Sequence, residues 1–214
     1  MAFIENPAQI ETVSYQLIDA ALGTRSWSEA EGAVIRRMIH ATADLEYAEI
    51  TELSPGAAEA GIKALLQGCT VVTDTRMAQA GINQALLNRM KAKTACYMDD
   101  PEVAGQAQAQ GITRAMVSMR RAVADPKAQI FAIGNAPTAL FELARLIETG
   151  AARPALVIGV PVGFVGAAES KEAIAAAGVP CVITRGKKGG SPIAAAAVNA
   201  LMRLAVLQLE EEHA

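Results

Sequence analysis

The sequence is poor in the residues that usually advertise a function. Aromatic side chains make up only 4% of it, and there are one Trp and two His. Its three cysteines, Cys69, Cys96 and Cys181, form no C-x-x-C pair and no even set for disulfides, which fits a reducing compartment. No histidine pair or zinc-type cysteine spacing occurs, so neither a metal nor another resident cofactor is expected. No uninterrupted apolar run approaches the ~18 residues of a membrane span. The opening Met-Ala-Phe-Ile-Glu-Asn-Pro has neither a basic region nor an apolar signal core, so a cytoplasmic protein that avoids membranes is expected. Charge is also scarce: a formal net charge of −3 and a pI near 5.5 argue against general nucleic-acid binding. What is abundant is apolar and small. At 52% hydrophobic residues the chain is far too apolar to be disordered, and its alanines suit helices packed closely on a sheet.

No repeat, low-complexity tract or linker divides the sequence, so residues 1–214 are read as one domain. Short apolar runs occur at Cys69–Thr73, Ala95–Met98, Ile130–Ile133, Ala155–Val160 and Cys181–Thr184. Segments of helical period separate them, among them Ile112–Ala124, Thr138–Glu148 and Ser170–Ala177. Continuous apolar strands alternating with helices predict a parallel sheet covered on both faces. The expected fold is therefore a three-layer αβα domain with a five-stranded parallel, flavodoxin-like doubly wound sheet and extra N-terminal helices. Pro7–Leu22 is the first of these helices. Ser28 and Glu31, at capping-box spacing, open a second that runs to about Leu45. Ser54-Pro55 reads as the N-cap of a third that stops at Gly68. A last helix spans about Pro192–Glu210, and the tail to Ala214 reads as solvated.

Ligands of open parallel sheets bind outside the carboxyl ends of the strands. That rule gathers the unusual local chemistry of this sequence on one edge: Asp74 to Met77, Asp99-Asp100, Gly134 to Thr138, Pro161 to Lys171, and Arg185 to Ser191. Glycine-rich turns leading into helices favour anions, and Arg185, Lys187 and Lys188 strengthen an acidic-ligand reading. The spacing matches neither a phosphate loop nor a dinucleotide fingerprint. There is no G-x-S-x-G elbow. The adjacent Asp99 and Asp100 precede Pro101 as a solvated turn would. His213 sits in the tail, so any imidazole chemistry falls to His40. Ser14 lies on an apolar stripe with Ile10 and Leu17, where a serine either bonds back to its own helix or faces a pocket. Arg114 begins a helix after a loop, as a surface ion pair or a carboxylate clamp.

These segments resemble one family. Phe131-Ala-Ile-Gly-Asn-Ala-Pro-Thr-Ala-Leu-Phe-Glu142 and Ile158-Gly-Val-Pro-Val-Gly-Phe-Val-Gly-Ala-Ala-Glu-Ser-Lys-Glu172 are similar to motifs of precorrin-8X methylmutases. Met38-Ile-His-Ala-Thr-Ala-Asp44 and Arg185-Gly-Lys-Lys-Gly-Gly-Ser191 agree. One departure is Lys187, because the family's more familiar pattern is Gly-Arg-Lys-Gly-Gly-Ser; the exchange keeps the charge but not the bidentate fork.

The resemblance implies an isomerase of cobalamin biosynthesis that moves a methyl group from C-11 to C-12 of a corrin precursor. The product is hydrogenobyrinate, or cobyrinate where cobalt is already inserted; any cobalt belongs to the substrate. Thr73-Asp74-Thr75 and Gln110 to Arg114 look closer to the cobalt branch. The resemblance aligns His40 with the catalytic histidine and Ser14 with a substrate-contacting serine. The residues expected to line the substrate are Ser14, Thr42, Asp74, Met77, Arg114, Asn135, Gly163, Gly166, Glu169, Ser170, Lys171, Arg185, Lys187, Gly189, Gly190 and Ser191. A homodimer and a transient handover to the next pathway enzyme are also implied. Two other readings use the same edge: a flavodoxin-like flavin or nucleotide module, and a non-catalytic corrinoid carrier.

Overall fold

A computed structural model describes residues 4–211 of the chain. Two helices come first, α1 (Pro7–Leu22) and α2 (Glu29–Thr42), followed by the single-turn α3 (Tyr47–Ile50) and strand β1 (Thr51–Leu53). Helix α4 (Ala57–Leu66) leads to β2 (Thr70–Thr73), the short helices α5 (Arg76–Gly81) and α6 (Gln84–Arg89), and β3 (Lys93–Ala95). Then come α7 (Pro101–Gln110), α8 (Arg114–Ala122), β4 (Ala128–Ile133) and α9 (Pro137–Glu148). The chain closes with β5 (Leu156–Gly159), α10 (Ala167–Ala176), β6 (Cys181–Thr184) and α11 (Ser191–Glu211).

Local chemistry explains the helices nearest the site. The Asn6 side chain accepts the Gln9 N–H and Pro7 takes the first position of α1, where a missing N–H costs nothing. The expected capping box opens α2: Ser28 Oγ accepts the Glu31 N–H, and Glu31 Oε2 accepts the Ser28 N–H at 2.8 Å. Helix α2 ends earlier than expected, because Ala43 turns left-handed at φ 54°.

The six strands form one sheet in the order β1-β6-β5-β4-β2-β3. Five are mutually parallel, whereas β1 pairs antiparallel with β6, Thr51 opposite Thr184. This sixth strand corrects the expectation of five. It is only three residues long with Glu52 at its centre, too short to show an alternating pattern. Residues of β2, β5 and β6 are buried on both faces, as a covered parallel sheet requires. Ile130 and Ala132 join one core with residues of α2, α4 and α11; Phe131 and Ile133 join another with α8 and α9. The result is three layers, with α1 laid outside on α2.

Three further expectations are corrected. Ser54 does not cap α4; its Oγ accepts the Cys181 N–H on β6, and α4 starts from left-handed Gly56. The strand expected at Ala95–Met98 lies at Lys93–Ala95, where it pairs with β2. Helix α7 and the pair α5–α6 were not foreseen. Helix α11 is long and apolar enough to cross a membrane by length and composition, yet 61% of its most apolar window is buried against the fold. It is a core helix. Of the tail at residues 210–214, expected to be frayed and solvated, Glu210 and Glu211 are exposed but still helical, and residues 212–214 lie outside the described residues.

Candidate active site

The chain leaves β2, turns out to β3, then returns to β4 on the other side of β2, so the strand order reverses between β2 and β4. Doubly wound proteins bind ligands in the crevice at that point. Here protein atoms close it. Asp74 follows β2 and is 1% exposed. Its carboxylate accepts the N–H groups of Gly134, Asn135 and Ala136, at 2.9, 2.8 and 2.7 Å, where β4 runs into α9. Burial pushes the Asp74 carboxyl above its ordinary pKa while those three donors oppose the shift. Gly134 is needed at this spot, because a Cβ there would lie 2.7 Å from the Gly190 carbonyl oxygen and the Ser191 nitrogen. Thr75 and Ser191 complete the seal with a 2.8 Å bond between hydroxyls.

The same internal use extends along the edge, and it revises the expected ligand contacts. Lys171 is fully buried and donates to Thr184 Oγ1, the Gly186 carbonyl and the Lys188 carbonyl. Burial lowers its pKa to about 8. Ser170 is also buried and bonds to Ala167 of its own helix. Arg185 pairs with Glu52 on β1 and Glu172 on α10. Lys188 pairs with Asp44 and Glu46, in the turn after α2. Those carboxylates hold Lys188 and Arg185 firmly protonated, and the Lys188 ammonium in turn holds Asp44 below the usual carboxylate range. Thr42 Oγ1 bonds to its own helix and receives the Asp44 N–H. Even the glycine N–H groups are used: Gly163 donates to the Lys187 carbonyl and Gly190 to the Val160 carbonyl. Gly189 has no room for a side chain, since a Cβ would overlap the Val160 carbonyl oxygen. The cationic cluster read from the sequence is thus largely neutralised within the protein.

What stays open is different in kind. Arg114 at the start of α8 has no ion-pair partner among the described residues, and Asn135 turns an exposed side chain outward. Lys187 is exposed, its ammonium 5.1 Å from the centre of the Phe164 ring. Phe164 and Val165, in the turn between β5 and α10, are 87% and 88% exposed. Val162 in the same turn and Met77 of α5, beyond β2, are exposed as well. Gly166 caps α10 in a left-handed conformation, and Glu169 faces solvent in its first turn. The sequence reading placed Phe164 and Val165 on this edge, within Pro161 to Lys171, but named Lys187 and Met77 rather than them as substrate contacts.

His40 lies in the last turn of α2, partly buried. Its ring tilts against Tyr15 of α1, centroids 5.1 Å apart, and Arg37 approaches Nδ1 at 3.4 Å. Arginine only donates, so in the neutral ring this contact makes Nδ1 the acceptor and places the ring proton on Nε2. Ser14 precedes Tyr15 on α1, half-buried and without a hydrogen-bond partner among the described residues. Tyr15 is a neighbour that the sequence reading missed; its place directly after Ser14 was the available signal. The Lys188 contacts at Asp44 and Glu46 tie the His40 helix to the loop beyond β6. No group of three His, Cys, Asp or Glu able to hold a metal ion occurs among the described residues.

Comparison with known proteins bears on this arrangement. The family model described as precorrin-8X methylmutase matches residues 9–204. A cobalt-precorrin-8 methylmutase of Priestia megaterium is 44% identical over 199 residues, 93% of this chain and 88% of that protein. One from Salmonella typhimurium is 44% identical over 208 residues, 94% of this chain and 97% of that protein. Among solved structures, the precorrin-8x methyl mutase from Thermus thermophilus is similar with a TM-score of 0.86 and 41% identity, covering 93% of this chain and 98% of that one.

Proposed function

The chain belongs to the precorrin-8X methylmutase family, and from that premise we propose the reaction it performs and the part each residue plays. It is an isomerase of cobalamin biosynthesis. The substrate is the cobalt-loaded precursor, as in the names of the Priestia and Salmonella relatives, and the methyl group moves from C-11 to C-12 to give cobyrinate. The observation that carries this reading is the match across residues 9–204, which includes His40 and every loop of the carboxyl edge.

His40 is the acid/base. The C-11–methyl bond breaks and the C-12–methyl bond forms within one molecule, so no group is gained or lost. A proton lent to the macrocycle by the His40 imidazolium, and then returned to the neutral ring, selects the tautomer in which migration is easy. A positioned acid/base contributes about 10²–10⁴-fold in rate. Ser14 contacts the macrocycle beside it. The broad faces of a corrinoid fit the exposed Phe164, Val165 and Met77, and its carboxylate side chains fit Lys187 and Arg114, the cations of these loops left without internal ion pairs. Asp74, Ser170, Lys171, Arg185, Gly189, Gly190 and Ser191 shape the loops from behind.

The chain acts as one domain, in the cytoplasm, as a homodimer whose partner completes the cleft over the exposed apolar rim, and it hands its product to the next pathway enzyme. The parallel strands, in the order β3-β2-β4-β5-β6, are read as a flavodoxin-like doubly wound arrangement with an added antiparallel edge. The flavin and carrier readings give way to the family assignment, and a flavin would also meet a switch-point crevice filled by Asp74 and Ser191. The test is anaerobic incubation with cobalt-loaded and metal-free precursors, followed by absorption spectroscopy. Conversion of the cobalt form at the higher rate is expected. Conversion of the metal-free form alone would move the protein to the other branch, and conversion of neither would overturn the reading.

A further inference from the structure

The loop from Arg185 to Ser191 joins β6 to α11 along the carboxyl edge, running past Val160 after β5 to Gly134 after β4. Its shape is set from inside by an unusual residue. Lys171 has no exposed surface, and no carboxylate among the described residues is bonded to its ammonium. A buried unpaired charge is costly and persists only where hydrogen bonds satisfy it. An ammonium has three N–H groups, and Lys171 has three acceptors: Thr184 Oγ1 at 3.2 Å, the Gly186 carbonyl at 2.8 Å and the Lys188 carbonyl at 2.7 Å. Thr184 Oγ1 in turn donates to the same Lys188 carbonyl at 2.8 Å. One side chain thus gathers the end of β6 and both arms of the turn that follows.

The consequences run in two directions. Holding the Lys188 carbonyl inward sends the Lys188 side chain outward to Asp44 and Glu46, which fixes the turn four residues beyond His40. The Lys187 carbonyl, between the two clamped residues, receives the Gly163 N–H, so the apolar turn bearing Phe164 is fastened to the same loop. We propose that Lys171 is a positioning residue for the methyl shift: from behind, its three hydrogen bonds hold the β6–α11 loop in the one shape that aligns Lys187 and Phe164 with the His40 helix. The inference rests on the proposed function in taking these loops as the substrate surface. A methionine at this position would fill the volume but leave the Gly186 carbonyl without its donor, so what the lysine adds beyond apolar packing is its hold on the loop.

The experiment compares the wild type with Lys171→Met, Thr184→Val and Thr184→Ser by steady-state turnover of cobalt-precorrin-8 and by trypsin cleavage after Arg185, Lys187 and Lys188. Lys171→Met should fold, raise KM tenfold or more with kcat changed far less, and be cut in the loop at least tenfold faster. Thr184→Val should shift both readouts in the same direction by a smaller factor, and Thr184→Ser, which keeps the hydroxyl, should restore both. Should Lys171→Met fail to fold, the Thr184 pair decides. Wild-type KM and wild-type cleavage in Lys171→Met, or equal behaviour of the two Thr184 variants, would overturn the proposal. A wild type that converts no precursor would instead contradict the proposed function, and the cleavage rates would then decide the clamp by themselves.

Discussion

The turns after β5 and after β6 lie side by side on one edge of the sheet and are built on opposite principles. The turn after β6 carries most of the local positive charge, and two of its three cations are answered from within, Arg185 by Glu52 and Glu172 and Lys188 by Asp44 and Glu46, while Lys171 of α10 behind it is held by three oxygens. The turn after β5 carries no charge, and it is there that Val162, Phe164 and Val165 reach solvent. A charged residue in a sequence is therefore not a cation available to a ligand, and an apolar residue after a strand is not necessarily core. The surface offered to a flat, carboxylate-bearing pigment is an apolar rim with a few free cations, supported by a saturated polar frame.

The contrast can be broken at its frame first. Asp74→Ala leaves three N–H groups without their acceptor at the closed crevice and should cost about 3 kcal/mol of stability, read by urea unfolding. A loss under about 1 kcal/mol would mean that the crevice is held by something else. In the open turn, Phe164→Ala combined with Val165→Ala should change stability by less than about 0.5 kcal/mol, because neither side chain is buried. The same double variant should weaken corrinoid binding by about tenfold, the worth of roughly 1.4 kcal/mol of lost apolar contact. Unchanged affinity would remove that rim from the site.

The buried lysine sharpens the contrast through pH. Its pKa falls from 10.5 to about 8 on folding, so between those values the unfolded chain binds more protons than the native one. Stability from this group therefore rises as pH goes from about 8 to 10.5. Melting temperatures across that range should show the rise in the wild type and lack it in Lys171→Met. Smallest of all, Arg185→Gln should cost less than about 1 kcal/mol and leave corrinoid affinity within twofold, since exposed ion pairs contribute little. A large affinity loss would restore Arg185 as a ligand contact.

Much of this organisation is legible in the sequence because it is written in local patterns. The Ser28–Glu31 capping box, Pro7 after Asn6, and the continuous apolar strands all determine structure within a few residues of themselves. The edge strand Thr51–Leu53 was not legible, because it exists only through pairing with Cys181–Thr184, far along the chain. The loops do lie together at the carboxyl edge, as the alternation of strands and helices predicts, but the direction of each side chain depends on partners that are distant in sequence. Asp74 finds Gly134, Lys188 finds Asp44, and Arg185 finds Glu52. Spacing does not reveal such meetings. His40 is singled out for the opposite reason: it is the sole histidine outside the tail, so scarcity itself points to it.

The most direct test of the account is a single-turnover reaction of cobalt-precorrin-8 carrying a ¹³C-labelled C-11 methyl, followed by NMR with the wild type and with His40→Ala. The account predicts that the wild type moves the label to C-12, and that His40→Ala binds the corrinoid with similar affinity while transferring the label about 10²–10⁴-fold more slowly. Transfer by His40→Ala at a rate within tenfold of the wild type would contradict it.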